Sequence, residues 1–553
     1  MPPIARPTRR PARLARQTVV LVCALLLITL PAGAPAAARS NPFATGTGTG
    51  TTDAAPTPTT IRVMSFNILY GGDEIDPVGQ GDHWCQRPAG CQANVERVVG
   101  AIRSARADVV GMQEGTGNGC RIADALGWFC APRLQILSRF PLIDPPGADG
   151  LYVYAEVTPG RMVALANVHL TSDPYGPYFP RQGWTLQQVL DQEIALRMPD
   201  ITQQVARLPA LAAAGIPVVL TGDFNSPSHL DWTAAVSAVR PVDVPYPIDW
   251  PGAHALADAG FHDSYRAVHP DPVAAPGFTW TAGYPRERKG VEVQDRIDWV
   301  LTMGAITAVA SDVVGEASYA GTGIAVDPWP SDHRAVVSEL AVTAGDPAPF
   351  AAAATRRLFL GDPLRVRHHD AIAGDQVRIV PLGAAPGAAI ATRAVTGDGD
   401  ATFATASWSR GPYEAILVRG GAILGGRSRF DAYPAGTPTT VRTDRATYLV
   451  GERITASWSA GPGWRWDWIA VTKKGVSNVG VAADCTGGYC GQADYLIWGY
   501  TRTAVEGSLT IDATAQPGTT EWPLKAGWYR LTYYFDDGYA LVAQSEPFRV
   551  ISK

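Results

Sequence analysis

Between residues 61 and 343, the hydrophobic positions follow two periods, one typical of buried strands and the other of helices. Short apolar runs predict strands at residues 61–69, 107–112, 162–170, 216–220, 297–301 and 335–342. Apolar residues at helical spacing from Val95 to Ile102, and a longer periodic stretch at 186–211, predict helices between these strands. This interleaving predicts one α/β domain over 61–343, with sheets that helices cover.

The hydrophobic pattern changes after an Ala- and Pro-rich stretch at 344–356, which predicts a linker. Short strand-like runs with Gly and Pro turns follow, so we predict two all-β, Ig-like sandwich domains at 357–433 and 438–552. The two domains share matching segments: Gly374-Asp375-Gln376-Val377 with Gly451-Glu452-Arg453-Ile454, Gly411-Pro412-Tyr413 with Gly527-Trp528-Tyr529, and Phe430 with Phe548. The growing offset between matches predicts an insertion of about 40 residues in the second sandwich, within 464–505.

The first 38 residues have a different character from the rest of the chain. Five arginines precede an apolar-rich run at 19–30, and Pro31 and the small residues 36–38 follow. This is the layout of a cleavable signal peptide, and the run is shorter than the about 20 residues that span a bilayer. We expect residues 1–38 to be a signal peptide, 39–60 a flexible linker, and the mature protein to be secreted without a transmembrane segment. A membrane anchor is the alternative.

Loss of the leader, which carries five arginines and no acidic residue, changes the formal net charge from −5 to −10. A chain this acidic is not drawn to polyanions by its overall field, so nucleic-acid binding requires a local site or a metal. Six cysteines remain, an even number that favours disulfides in an exported protein. The simplest pairing joins 85 to 91, 120 to 130 and 485 to 490, and a zinc site is the alternative.

Polar side chains stand at the ends of several predicted strands. They are Asn67, Glu114, His169, Asp223 with Asn225, Asp298, and Asp332 with His333. Unpaired carboxylates and imidazoles are costly inside a core, whereas strand ends can converge at one rim of a sheet. Any one of these residues could be a turn, cap or core residue. Six such segments in one domain instead indicate a shared catalytic site.

This series resembles the endonuclease/exonuclease/phosphatase superfamily, which includes DNase I-like nucleases, neutral sphingomyelinases and inositol polyphosphate 5-phosphatases. Gly222-Asp223-Phe224-Asn225 and Ser331-Asp332-His333 carry the resemblance most specifically, within residues 62–342. It implies a four-layer DNase I-like α/β sandwich, in which two mixed sheets pack face to face with helices outside. Phe278-Thr279-Trp280 resembles a family segment that precedes the Asp298 strand, and both a structural and a functional role stay open for it.

The resemblance also implies roles for the strand-end residues. Asn67, Glu114 and Asp332 would hold a divalent metal, Mg²⁺ by preference, with Mn²⁺ or Ca²⁺ as alternatives. Asp298 would orient His333, and Asp223 would position and deprotonate the attacking water. Asn225 would donate to a phosphate oxygen, and His169 would donate to the phosphate or protonate the leaving group. Which of Asp223 and His333 is the formal base stays open, because such close groups titrate together.

The motifs indicate the reaction more firmly than the substrate. We expect a phosphodiesterase that prefers extracellular nucleic acid, since no long apolar hairpin for membrane docking is evident. A sphingomyelinase-type phospholipase C is the alternative, and a non-catalytic surface-binding module is a third reading. Six aromatic residues in two rim loops would either pack as loop cores or stack on bases or lipid: Tyr175, Tyr178, Phe179, Trp184, Tyr246 and Trp250.

Two expectations concern partners. The C-terminal sandwiches carry no catalytic constellation, so they would bind a cell surface or a polysaccharide and position the enzyme there. The protein is expected to be a monomer.

Overall fold

The computed structural model describes residues 57–73, 92–282, 292–474, 495–517, 522–538 and 540–552. The strands of the α/β domain are β1 (Thr59–Asn67), β2 (Val109–Gln113), β3 (Phe129–Ala131), β4 (Ile136–Ser138), β5 (Leu142–Ile143), β6 (Val153–Thr158), β7 (Arg161–His169), β8 (Val218–Asp223), β9 (His262–Asp263), β10 (Asp298–Met303), β11 (Ile306–Gly315), β12 (Ile324–Ala325) and β13 (Ala335–Val342). Its helices are α1 (Gln92–Ser104), α2 (Gly119–Leu126), α3 (Tyr178–Arg181), α4 (Leu186–Leu196), α5 (Met198–Ala213), α6 (Ala234–Val239), α7 (Pro251–Asp258) and α8 (Ser264–Val268).

These strands form two mixed sheets. One has the order β12-β11-β13-β1-β2-β4-β3 and the other the order β5-β6-β7-β8-β10-β9. β1 runs parallel to β2 and β7 runs parallel to β8, while the other pairs described in these sheets are antiparallel, apart from the parallel pair β11 and β12. The apolar residues between the sheets form one core cluster, and helices cover the outer faces through two further clusters. The predicted four-layer α/β sandwich is confirmed.

The two sheets approach closely beneath the predicted site. Gly111 of β2 faces Thr221 of β8, and a β-carbon on Gly111 would lie 1.8 Å from the Thr221 hydroxyl oxygen. Only glycine allows this approach. The backbone N–H of Gly222 donates to Ser65 Oγ across the same gap at 3.0 Å. A direct hydrogen bond between the sheets therefore fixes their relative position next to Asp223.

The periodic stretch at 186–211 forms two helices rather than the single predicted one. α4 ends at Leu196 and α5 begins at Met198, with Arg197 between them. Pro199 lies in the first turn of α5, where its missing N–H and its ring prevent the earlier helix from continuing. The buried guanidinium of Arg197 bonds to Glu193 and to the carbonyl oxygens of Ser172 and Pro174. The break therefore ties the helices to the loop that follows β7.

The C-terminal region consists of sheets, as its turn-rich pattern predicted. Its strands are β14 (Phe350–Ala353), β15 (Arg357–Phe359), β16 (Leu364–Pro381), β17 (Ala391–Phe403), β18 (Gly411–Arg419), β19 (Ala422–Tyr433), β20 (Thr440–Thr443), β21 (Thr447–Leu449), β22 (Ile454–Ser459), β23 (Trp468–Lys473), β24 (Tyr495–Tyr500), β25 (Gly507–Ile511), β26 (Gln516–Pro517), β27 (Gly527–Tyr534), β28 (Leu541–Gln544) and β29 (Phe548–Ile551). β14 lies inside the stretch predicted as a linker and pairs with β16, so this part of it is a strand.

The two β regions repeat the same pairing pattern. In the first, β15 runs parallel to β19, which pairs antiparallel with β18, and Tyr413 faces Phe430. In the second, β21 runs parallel to β29, which pairs antiparallel with β27, and Tyr529 faces Phe548. These two pairs are the aromatic residues that the sequence matches align. Both regions belong with the α/β domain to one compact unit, residues 56–553.

One of the predicted disulfides lies within the described residues. Cys120 at the start of α2 is bonded to Cys130 in β3, which confirms that pair. The pairs 85–91 and 485–490, the signal peptide and most of the first linker lie outside the described residues. Among the helices that are described, none combines the length and the apolarity needed to cross a membrane.

Arg296 provides a test of how buried charge supports this fold. Its fully buried guanidinium lies 3.0 Å from Asp231 and 2.7 Å from Asp263. We expect Arg296→Met to lower the free energy of unfolding by about 3–5 kcal/mol, because it removes the buried cation that Asp231 and Asp263 share, although Asp231 keeps its contact with Arg266. Arg365→Met is the control, since Arg365 is 66% exposed and 3.8 Å from Asp400, and should change stability by less than about 1 kcal/mol. Equal shifts in thermal unfolding for both variants would contradict this.

Candidate active site

The sheet register places three of the predicted residues side by side. His169 at the end of β7 faces Asp223 at the end of the parallel strand β8. Asp298, the first residue of β10, faces the same Asp223 from the other side. Asn67 ends β1 of the opposing sheet, and Glu114 directly follows β2. Because the two sheets are joined next to Asp223, the strand ends of both sheets meet at one edge, as predicted.

Asn67 joins the two sheets at this edge through its amide. Its Nδ2 donates to Glu114 Oε1 at 3.1 Å and to Asp223 Oδ2 at 3.0 Å. Its Oδ1 accepts from the backbone N–H of Leu69 at 3.1 Å, so the amide oxygen faces the backbone. In this orientation Asn67 bridges two carboxylates and does not present an oxygen toward them, unlike the metal ligand that the resemblance implied.

Asp298 and His333 form the predicted pair. His333 Nδ1 lies 3.0 Å from Asp298 Oδ2, and its Nε2 lies 3.7 Å from Asp223 Oδ2. Burial raises the pKa of Asp298 to about 6. Burial alone would lower the pKa of His333, but the carboxylates of Asp298 and Asp223 outweigh it and raise that pKa well above its usual value. The geometry turns one imidazole nitrogen toward Asp223 and holds the other on Asp298.

Neighbouring residues fix this pair. Thr279 Oγ1 accepts from the backbone N–H groups of Ile297 and Asp298, at 3.0 and 3.1 Å. The ring centroid of Trp280 lies 4.9 Å from that of His333. Both belong to the segment for which the sequence left a structural and a functional role open, and the contacts place it directly behind the Asp298 and His333 pair.

Asp332 lies among the other acidic groups of this edge. Burial raises its pKa to about 7, while His333 opposes this shift and Glu114 adds to it. Ser331 Oγ donates to the backbone oxygen of Asn67 at 2.7 Å and so fastens the Asp332 loop to β1. The three residues predicted as metal ligands are therefore gathered at the same edge of the first sheet.

His169 faces Asp223 from the side opposite His333. Its Nε2 lies 3.6 Å from Asp223 Oδ2, and its Nδ1 lies 2.9 Å from Oδ2 of Asp537. Burial lowers the pKa of His169, but Asp537, Asp223 and Glu114 together raise it to about 9. Asp537 belongs to the second sandwich, and sequence reasoning missed it, because no motif or spacing links it to β7.

Asn225 lies in the turn after β8 and adopts a left-handed backbone conformation, with a φ of 47°. Its backbone N–H donates to Asp223 Oδ1 at 2.9 Å, and its side-chain Nδ2 donates to the carbonyl oxygen of Leu170 at 3.0 Å. The same amide carries a second N–H hydrogen, the group that the predicted contact with phosphate requires. Asn225 thus fixes both the Asp223 carboxylate and the chain that follows His169.

The rim aromatics pack on one another. Trp250 is fully buried, and Tyr175 is 6% exposed and donates to Asp295 Oδ2 at 3.0 Å. Phe179 stacks on Trp184 with ring centroids 4.1 Å apart, and both pack against the outer core cluster. These residues form a loop core, which is one of the two readings that the sequence left open.

The acidic groups fit a divalent cation. Asp223, Asp298 and His333 are buried and offer ligand atoms within 4.8 Å of one another. Asp298 Oδ1 is a buried oxygen for which the described residues supply no hydrogen-bond donor. Glu114 and Asp332 add two further carboxylates. Hard carboxylate oxygens suit Mg²⁺, Mn²⁺ or Ca²⁺, and they do not by themselves distinguish these ions.

Comparison with known proteins identifies similar chains. Residues 64–333 match the family model of the Endonuclease/Exonuclease/phosphatase family. An uncharacterized protein of Caenorhabditis elegans is 28% identical over 315 residues, which cover 51% of this chain and 92% of the nematode protein. Residues 64–333 therefore belong to the endonuclease/exonuclease/phosphatase family, as the strand-end motifs predicted. Members of this family are hydrolases that act on phosphoester bonds.

Solved structures are also similar. An endonuclease/exonuclease/phosphatase from Beutenbergia cavernae is 19% identical and covers 67% of this chain and 99% of its own length, with a TM-score of 0.32. A 3′ phosphatase from Neisseria bound to a product DNA hairpin is 17% identical, covers 50% of this chain and 98% of its own, and has a TM-score of 0.32. A mannosyl-6-phosphatase from Bacteroides thetaiotaomicron is 14% identical, with coverages of 51% and 99% and a TM-score of 0.29.

The position of His333 leads to a direct test. We expect His333→Gln to lower kcat for a chromogenic phosphodiester by about 100-fold or more, because the group that Asp298 orients toward Asp223 is lost. Glutamine keeps a donor for Asp298, so the protein should remain folded by thermal unfolding. His254→Gln is the matched control, since His254 is 49% exposed on α7, where it pairs with the surface carboxylates of Asp249 and Asp258 and its ring lies 5.8 Å from that of His229, outside the predicted site. A folded His333→Gln protein with wild-type kcat would contradict the assignment.

Proposed function

We propose that this protein is a secreted, divalent-metal-dependent phosphodiesterase that prefers extracellular nucleic acid. The observation that carries the proposal is the arrangement around Asp223, where His333 and His169 each direct Nε2 toward the same carboxylate, at 3.7 and 3.6 Å. Two imidazoles on one carboxylate, next to Glu114 and Asp332, combine proton-transfer groups with metal ligands at one edge. A phosphoester hydrolase needs both sets of groups.

The residues at the edge divide the reaction between them. Water attacks phosphorus in line, the new P–O bond forms as the bond to the leaving oxygen breaks, and the water proton passes to Asp223 or His333. His169 supplies the proton that the leaving oxygen takes up, and Asn225 donates its second N–H to a phosphate oxygen. Fixed positions at the strand ends account for most of the catalysis, because no reorganisation is needed during the reaction.

We assign the metal to Glu114 and Asp332, because Asp223, Asp298 and His333, which also offer clustered ligand atoms, are used for proton transfer and for orienting His333 in this proposal. The ion supplies Lewis-acid stabilisation of the phosphoryl oxygens when it is bound. Asn67 would hold Glu114 and Asp223 in place through its amide, with its oxygen free to turn toward the ion only if the Leu69 contact is given up. Mg²⁺ is our choice because it keeps several waters and needs few protein ligands.

The packing of the rim supports the proposed preference for nucleic acid over lipid. Tyr175 and Trp250 are buried in the loop core, and Phe179 and Trp184 stack on each other, so these residues do not form an apolar surface for a bilayer. The same packing occupies these rings with protein contacts, so in this proposal nucleic acid is bound mainly through its phosphates. Secretion is supported by the leader pattern and by the Cys120–Cys130 disulfide, which is typical of oxidising compartments.

Metal dependence is the first test. EDTA should abolish hydrolysis of a chromogenic bis-phosphodiester, and added Mg²⁺ should restore it. We expect Glu114→Gln to raise the Mg²⁺ concentration for half-maximal activity by about 10-fold or more, since a metal carboxylate is replaced by an amide. Glu339→Gln, in β13 and paired with Arg62, is the control and should leave this concentration unchanged. Full activity in EDTA would remove the metal from the proposal.

Substrate preference is the second test. Plasmid DNA, RNA and sphingomyelin vesicles are compared with Mg²⁺, Mn²⁺ or Ca²⁺ at equal enzyme concentration. We expect cleavage of DNA or RNA, because a site that binds phosphate without an apolar surface favours a soluble polyanion. Hydrolysis of sphingomyelin alone would establish the phospholipase alternative instead. No hydrolysis of any substrate at high enzyme concentration would favour the non-catalytic binding module.

A further inference from the structure

The turn that follows β27 reaches the active site from the second sandwich. This turn comprises residues 535–538, and both Asp536 and Asp537 adopt left-handed backbone conformations, with φ of 46° and 61°. Asp536 is buried and accepts from Gln135 Nε2 at 2.7 Å and from the backbone N–H of Gly117 at 2.8 Å. The ring of Phe535 packs so closely on Gly117 that a β-carbon there would lie 2.8 Å from it. The turn is therefore seated on the α/β domain by contacts that do not involve Asp537.

Asp537 itself is held from its own domain. Its backbone N–H donates to the carbonyl oxygen of Trp466 at 2.9 Å, and its Oδ1 accepts from the hydroxyl of Tyr500 at 3.1 Å. The remaining carboxylate oxygen, Oδ2, lies 2.9 Å from His169 Nδ1. Because these contacts fix the carboxylate, its Oδ2 can accept a hydrogen bond from His169 Nδ1 in one orientation of the ring. This contact sets the plane of the His169 ring and leaves Nε2 facing Asp223.

Both histidines of the site are thus held by a carboxylate on Nδ1, but the two carboxylates come from different domains. His333 is held by Asp298 of the same sheet at 3.0 Å, and His169 is held by Asp537 at 2.9 Å, 368 residues away in sequence. We propose that Asp537 is a positioning residue for His169, so that the second sandwich completes the active site of the α/β domain. This inference rests on the proposed function for its effect on hydrolysis, but the contact itself can be tested without activity.

The alternative is that the contact only helps to hold the two domains together. Several bonds already do this without Asp537. Arg133 Nε donates to the carbonyl oxygen of Gly463 at 2.8 Å, and the backbone N–H of Arg465 donates to the Arg133 carbonyl at 3.1 Å, in addition to the Asp536 contacts. A variant at Asp537 therefore leaves the main docking contacts in place, and its effects on chemistry and on stability can be measured separately.

The kinetic test is a double-mutant cycle in the full-length chain. We expect Asp537→Ala to lower kcat by about 10- to 100-fold with little change in KM, as is usual when the partner of a site histidine is lost. Asp537→Asn should recover part of this loss, because its amide oxygen still accepts from Nδ1. In a His169→Ala background, Asp537→Ala should have no further effect on kcat. The matched control is Asp512→Asn in the same sandwich, whose carboxylate accepts from Thr514.

An equal kcat loss from Asp537→Ala with and without His169 would overturn the proposal, as would an unchanged kcat in the wild-type background. The second readout is the ¹⁵N spectrum of the His169 ring, assigned by comparison with His169→Gln. We expect a hydrogen-bonded Nδ1–H signal that disappears in Asp537→Ala and persists in Asp512→Asn. Its absence from the wild-type protein would overturn the proposal whether or not the protein hydrolyses phosphoesters. If the signal is present but the protein hydrolyses no phosphoester, the result would contradict the proposed function and leave the positioning role of Asp537 standing.

Discussion

Buried negative charge at one edge of two sheets is the constraint on which the rest of this structure depends. Asp223 and Asp298 are almost fully buried and face each other across neighbouring strands, and Asp332 lies nearby. Burying a carboxylate costs several kcal/mol unless partners compensate it. His333 lies between the two facing carboxylates, and Asn67 donates to Asp223 and Glu114 at once. His333 and Asn67 thus compensate carboxylate charges that the sheet would otherwise exclude. This compensation explains how the strands can end in acidic residues.

This compensation of buried charge depends on the register of the strands. His169, Asp223 and Asp298 occupy matching positions on β7, β8 and β10, so their side chains emerge on the same side of the sheet. A slip of one residue would turn each of them to the opposite face, which is packed with apolar side chains. The register is secured from the other sheet by the Gly222 to Ser65 hydrogen bond and by the close approach at Gly111. The site therefore depends on the contact between the sheets as much as on either sheet alone.

The features that could be predicted from the sequence are those set by local pattern. Apolar runs located the strands, and polar residues at their ends located the edge, because strand direction alone decides where such residues gather. The aromatic matches between the β regions also predicted equivalent pairs, Tyr413 with Phe430 and Tyr529 with Phe548. The Asn67 orientation was not predictable, since the choice between its oxygen and nitrogen depends on the Leu69 backbone. Pro199 could have predicted the helix break at Arg197, but the apolar residues keep their helical spacing across it.

Asp537 belongs to a different category, because its position depends on how the α/β domain and the second sandwich fit together. Periodicity describes each domain but carries no information on docking. In the structure, Arg133 and Asp536 make the contacts that seat the second sandwich, and Asp537 then meets His169. The His169 and Asp537 side chains are only 14% and 19% exposed, so little water competes with their contact. The fixed carboxylate therefore sets the direction of the His169 ring. A domain that a flexible linker merely tethered could not provide this fixed carboxylate, so the second sandwich acts as part of the active-site wall.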